Sequence, residues 1–307
     1  MLTLSARGQS MTRVAQNDWN ASDYAIMNGN PIFETGGHVV GIDRNNNTQV
    51  QWSDNWGAVR LDNTDQDSPF VAYRFLTGQM NTDTPLIRST MDDVELGVGL
   101  HVGTLAGWKI STILGVGYDS TQPFVNEKGI FGIGDITAVH TIDAQNSFLL
   151  AVDYNGNNAF LPDVPLPGFA FIHHSQQLDF TLGYPDCKIE YRPVEKVKIL
   201  AAYSVPYTAR ITAEYLPWEH FGFYGSAGNT MQGVVIAKQD SIDRQFFQMR
   251  RAELGLRVIF TPYVNAGVGI GYAFDQGFSE GYDVRSLRSI AHISNEPYIS
   301  LVLHGKF

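Results

Sequence analysis

The chain has 307 residues, a formal net charge of −10 and only 17 % charged residues, below the ~25 % usual for a soluble globular protein. The negative balance excludes a nucleic-acid-binding surface. The single cysteine, Cys187, excludes an intrachain disulfide and a cysteine-based zinc site. No apolar run reaches the length of a transmembrane helix.

Residues 1–36 are rich in Asn, Ser and Gly and are read as an irregular N-terminal segment, with a single β domain over 37–307. The first twenty residues contain no apolar core of signal-peptide type. Next, "TQVQWSD" and "WGAVRLD" are possible additional strands. Strict two-residue alternation then dominates. Val94, Leu96, Val98, Leu100 and Val102 share one face, with Asp93, Glu95 and His101 on the other. Trp108, Ile110, Thr112, Leu114, Val116 and Tyr118 continue the pattern. So do Ala252, Leu254, Leu256, Val258 and Phe260 against Arg251, Glu253 and Arg257. In "YVNAGVGIGYAF" the apolar residues alternate with Gly267, Gly269 and Gly271. Such alternation predicts half-buried strands. Helical periodicity is confined to a turn or two around 241–251.

The connections mostly alternate in length. "TLAG", "DAQN", "RPVEK", "LPWEH" and "TP" are tight, whereas 119–129, 155–167, 228–246 and 275–296 are long and polar. This asymmetry suits a membrane barrel with short periplasmic turns and longer extracellular loops. Strand length agrees. Residues 108–118 reach roughly 33 Å at ~3.3 Å per residue, or about 25 Å of height at a tilt near 40°. Trp108, Tyr118, Tyr154, Tyr184, Tyr203, Tyr215, Phe260, Tyr272, Phe274, Tyr298 and Phe307 fall near expected strand ends, as in aromatic girdles. Lys188, Glu190, Arg192, Lys196, Lys198, Arg210, Glu214, Arg251, Glu253 and Arg257 are expected on the polar face, and are the candidate lumen-facing residues. The predicted fold is all-β, a closed antiparallel transmembrane β-barrel of twelve to fourteen strands. The count depends on whether 178–184 and 186–194 are two strands or one strand bulged at Pro185.

The C-terminal "YISLVLHGKF" resembles the terminal signature of Gram-negative outer-membrane β-barrel proteins. Ile299, Leu301, Leu303 and Phe307 match it, and Gly305 departs from its apolar series. The resemblance implies an outer-membrane location, contact with membrane lipid and lipopolysaccharide, and insertion by the barrel-assembly machinery, which reads that strand. Residues 166–204 and "EPYISLVL" also resemble a family of outer-membrane barrels that brings no activity to transfer.

Catalysis is not expected. In "IHHSQQ", His174 and Ser175 are adjacent and would point to opposite faces of a strand, which does not build a Ser–His pair. The glycines of "GVGIGY" relieve crowding on a curved sheet rather than bind a nucleotide. No H-E-x-x-H or spaced Cys/His set points to metal, and Asp153, Asp163, Asp275, Glu280 and Asp283 are read as solvated loop carboxylates. No cofactor is expected. The leading functional reading is a pore for small solutes. The alternative is a non-conducting barrel with a structural, adhesive or complex-partner role through its loops, and the third is a barrel-embedded lipid hydrolase.

Overall fold

The computed structural model describes residues 33–40, 49–62, 65, 67–125, 127–205, 208–237, 242–261 and 264–306. They form strands β1 (Phe33–Val40), β2 (Gln49–Arg60), β3 (Phe70–Asn81), β4 (Thr90–Leu105), β5 (Trp108–Ser120) and β6 (Ile130–Thr141). There follow β7 (Asn146–Asn155), β8 (Leu166–His174), β9 (Leu178–Tyr184), β10 (Asp186–Val194), β11 (Val197–Ser204) and β12 (Thr208–Tyr215). The last are β13 (Phe221–Val235), β14 (Arg244–Thr261), β15 (Val264–Gly281), β16 (Arg288–Ile293) and β17 (Glu296–Lys306). A three-residue 3-10 turn, Glu127–Gly129, is the only helical element among the described residues.

All strands belong to one antiparallel sheet. Successive strands pair from β2 through to β15. The first half of β15 then pairs with β17, and its far end with β16. β17 pairs with β1, and β1 with β2. Following hydrogen-bonded partners from β2 therefore leads back to β2.

Among the described residues, seventeen strands replace the expected twelve to fourteen. β1 is a short, glycine-bearing strand whose alternation is weak, and the boundary drawn at residue 36 falls inside it. β16 sits within the segment expected to be the loop 275–296. β9 and β10 are two strands that meet at Pro185 and pair with each other. From Arg244 onward, the weakly helical segment expected around 241–251 is strand β14.

The sheet is inverted in polarity relative to a soluble domain. Leu254 and Ile270 are each 69 % exposed, while Asp93 and Glu95 are 0 % and 1 % exposed. On β4, Leu96, Val98, Leu100 and Val102 are exposed, and Leu114, Val116, Ile136, Ile299, Leu301 and Leu303 extend the apolar face. Among the described residues, no second layer covers that face. Water on that much apolar surface costs about 25 cal/mol per Å², so the face requires an apolar solvent.

Strand length varies around the sheet. β13, β14 and β15 have 15, 18 and 18 residues, whereas β9 to β12 have 7, 9, 8 and 8. The extra length of β13–β15 lies at the end bearing the long loops. There the alternation of burial stops: Val234, Val235, Ile236, Phe246, Phe247 and Phe278 are all nearly inaccessible. One face of this extension packs on Trp52, Leu76, Met80, Ile87 and Met91. The other packs on Val284, Ala159, Phe160 and Leu287.

Candidate functional site: the inner wall and the mouth

Parity assigns every second strand residue to the inner face, and the register decides which of them meet. On β10–β14 the lower tier of charges is paired. Arg257 Nη1 donates to both oxygens of Glu214, each at 2.8 Å. Lys198 Nζ lies 3.3 Å from the same carboxylate. Arg192 donates to Glu190. Glu253 Oε1 accepts a 2.6 Å hydrogen bond from Tyr224 Oη. Lys188, Arg210 and Arg251 lie on the same inward faces, and Arg210 Nε donates to Thr212 Oγ1 at 3.1 Å. Lys196 is placed differently. It lies in the exposed β10–β11 turn and donates to Pro217 O at 3.0 Å, off any strand face.

Glycines create the room for this arrangement. A Cβ at Gly255 would stand 2.3 Å from Tyr224 Cζ, and one at Gly271 the same distance from Tyr298 Cζ. The two rings lie flat across the glycine-bearing strands β14 and β15. Tyr298 is therefore buried inside rather than part of an outer girdle, and Tyr118 is also buried. Tyr184, Tyr203, Tyr215, Phe260 and Tyr272 are exposed on the outer face.

The opposite wall, β3–β7, carries buried acids. Arg74 Nη1 lies 3.1 Å from Asp93 Oδ2 and 3.9 Å from Glu95 Oε1. Asp93 stands opposite Asp119, and Asp135 opposite Asp153. The sequence reading missed this wall as a unit and took Asp153 for a loop residue. The signal was present in parity, because Asp93 and Glu95 alternate with Val94 and Leu96.

The β13–β14 hairpin bridges the two walls at the mouth. Val235 N donates to Asp119 Oδ2 and Thr121 N to Val235 O, both at 3.0 Å. Ala237 N donates to Thr121 Oγ1 at 3.0 Å, and Gln232 Nε2 to Asp93 Oδ2 at 3.3 Å. Arg244 Nη2 donates to Gly156 O at 3.0 Å. The Trp52 and Phe247 rings are 5.8 Å apart, although β2 and β14 are not sheet neighbours. The hairpin thus reaches across to β2–β5 and to the loop after β7.

The residues weighed for catalysis are occupied elsewhere. Ser175 Oγ donates to Leu178 O at 2.9 Å and accepts from Leu178 N at 3.1 Å. His174 Nδ1 lies 3.1 Å from Asp179 Oδ1. Both serve the β8–β9 turn. Among the described residues, no three His, Cys, Asp or Glu side chains are grouped to hold a metal ion. Of the terminal residues, Ile299, Leu301 and Leu303 lie exposed on β17, and Phe307 lies outside the described residues.

No family model and no curated protein matches the chain. Solved structures do. An outer membrane channel from Pseudomonas putida F1 is 10 % identical, covering 94 % of this chain and all of that one, with a TM-score of 0.36. The toluene transporter TodX of Pseudomonas putida is 8 % identical, covering 98 % and 96 %, with a TM-score of 0.34. Outer-membrane expressed OmpT of Vibrio cholerae is 9 % identical, covering 90 % and 97 %, with a TM-score of 0.32.

Proposed function

We propose that the chain closes into a barrel in the outer membrane of a Gram-negative bacterium and passes small solutes along its inner wall. The partner sequence from β2 round to β1 supports closure, and lipid answers the need of the bare apolar face. The tight turns would face the periplasm and the long loops the exterior. Ile299, Leu301, Leu303 and Phe307 would be read by the barrel-assembly machinery, and lipopolysaccharide would surround the outer rim. A cylinder of this many strands is wide enough to enclose water.

The observation that carries the pore reading is the half-buried charge on β10–β14. Lys188, Glu190, Lys198, Arg210, Glu214 and Arg257 keep some solvent contact from inside, which a filled core would deny them. Conductance in planar bilayers tests it. Refolded protein with heat-modifiable migration should give discrete openings, and a verified barrel that gives none would reject the pore.

The hairpin across the mouth favours a second reading, a non-conducting barrel acting through its loops as an adhesive or complex partner. A stable copurifying protein crosslinked to 228–246 or 275–296, with no conductance, would support it.

A further inference from the structure

The connection between β5 and β6 crosses the rim of the sheet from its inner to its outer side. The inner end is fixed at the mouth. Ser120 and Thr121 are buried, and Thr121 donates to Val235 O and accepts from Ala237 N of the β13–β14 hairpin. Residues 122–125 then turn outward and are all exposed. Tyr118 holds them there. Parity puts Tyr118 on the outer face, in line with the exposed Leu114 and Val116. Its hydroxyl donates to Gln122 O at 3.2 Å and accepts from Val125 N at 3.0 Å. The Phe124 ring stacks on the Tyr118 ring, with centroids 5.0 Å apart and planes inclined by 21°. The returning arm packs on the same ring, because a Cβ at Gly129 would stand 3.2 Å from Tyr118 Cε2. Tyr118 is thus covered on a face where its neighbours are bare.

The outcome is a bare aromatic side chain in a fixed and uncommon backbone state. Phe124 has a φ of +52°, which bulky residues rarely adopt, and it is 78 % exposed. Val125 beside it is 56 % exposed. In water a glycine or asparagine would take that backbone state without presenting apolar surface. The surroundings favour another medium. Val94 and Ile130 stand opposite Tyr118 on its two sides, and Leu96 stands opposite Val116 in the next outward-facing row. Leu96, Val116 and Ile130 are exposed. Phe124 and Val125 therefore adjoin the apolar stripe of β4–β6 at its rim, and that stripe already requires an apolar solvent.

We infer that the β5–β6 connection is a lipid anchor, with Phe124 and Val125 seated among the acyl chains of the adjoining leaflet and Tyr118 holding them in place. The inference rests on the barrel reading above. Aromatic side chains favour the boundary between acyl chains and water, and a stacked ring enters it already ordered. The same connection holds Val235 and Ala237 on its inner side, so the anchor ties the hairpin at the mouth to the bilayer.

Spin-label accessibility on the refolded full chain in phosphatidylcholine vesicles tests the anchor separately from the barrel. In a Cys187→Ser background, single labels are placed through Val125→Cys, through Leu254→Cys on the exposed apolar face, and through Glu195→Cys in the exposed β10–β11 turn. Oxygen concentrates among acyl chains and a nickel chelate in water. The ratio of oxygen to nickel collisions at position 125 should approach that at 254 and stand severalfold above that at 195. Adding Phe124→Ser should drop the ratio at 125 toward the value at 195. A water-like ratio at 125 beside a lipid-like ratio at 254 would overturn the anchor and leave the barrel standing. A water-like ratio at 254 as well would reject the barrel reading itself. An unchanged ratio at 125 after Phe124→Ser, in protein that keeps heat-modifiable migration, would also overturn the anchor. If Phe124→Ser does not fold, the label at 125 in the otherwise unaltered loop decides the question.

Discussion

Phe247→Ala should release the β13–β14 hairpin from the mouth. Phe247 is 2 % exposed, and its ring lies 5.8 Å from that of Trp52 and 5.0 Å from that of Phe278. Truncating a buried phenylalanine costs about 3–5 kcal/mol. If that loss falls on docking alone, the undocked fraction rises about 10²- to 10³-fold or more, at 1.4 kcal/mol per decade. Hydrogen exchange read by mass spectrometry is the assay. The amides of Val235 and Ala237 donate to Asp119 and Thr121 across the mouth, so they report docking directly. Their exchange should accelerate by at least 100-fold, while β5–β6 amides and heat-modifiable migration stay unchanged. Equal protection of Val235 and Ala237 in the variant would refute the role of Phe247 as an anchor. Uniform acceleration throughout the sheet would show that the hairpin is not a separable unit.

Leu254→Lys places a charge on the exposed apolar face. In vesicles it should destabilise the barrel by about 2–4 kcal/mol near the bilayer midplane, and a shift below ~0.5 kcal/mol, typical of a water-exposed site, would contradict burial in lipid. Gly255→Val drives a side chain into Tyr224, 2.3 Å from the new Cβ. It should lower the denaturant midpoint by an amount equal to about 1–3 kcal/mol, with partial rescue by Tyr224→Ser. In the β6–β7 turn, the Asn146 side-chain amide and the backbone N–H groups of Gln145 and Asn146 hold the Asp143 carboxyl below the ordinary aspartate range. A depressed value in the folded state means that the turn gains stability above the unfolded pKa and loses it as pH falls through the folded one. NMR titration should find the Asp143 midpoint low, and Asn146→Ala should move it up.

Alternation revealed strands wherever one face meets the interior and the other does not. "GWKISTILGVGYD" and "YISLVL" show this in β5 and β17. The same rule concealed the ends of β13 and β14. In "MQGVVIA" and "RQFFQM" both faces are buried, so the two-residue period vanishes and the segment reads as a loop. Parity also indicated the face for Lys188, Arg210 and Arg251. It did not reveal that they share one line with Ala202 and Gly228 between them, because register depends on turns and pairing partners far away in the chain. Lys196 was misplaced for a related reason: the β10–β11 turn begins one residue before it.

The strands of the sheet are unequal in length. From β9 to β12 the hydrogen-bonded length is at most nine residues, giving roughly 20 Å of height at a tilt near 40°, some 5 Å short of the usual apolar band. Acyl chains along that arc must shorten or tilt to meet it, at a fraction of a kcal/mol per Å of mismatch. In the proposed barrel the protein would therefore impose a one-sided dimple on its bilayer, along β9 to β12.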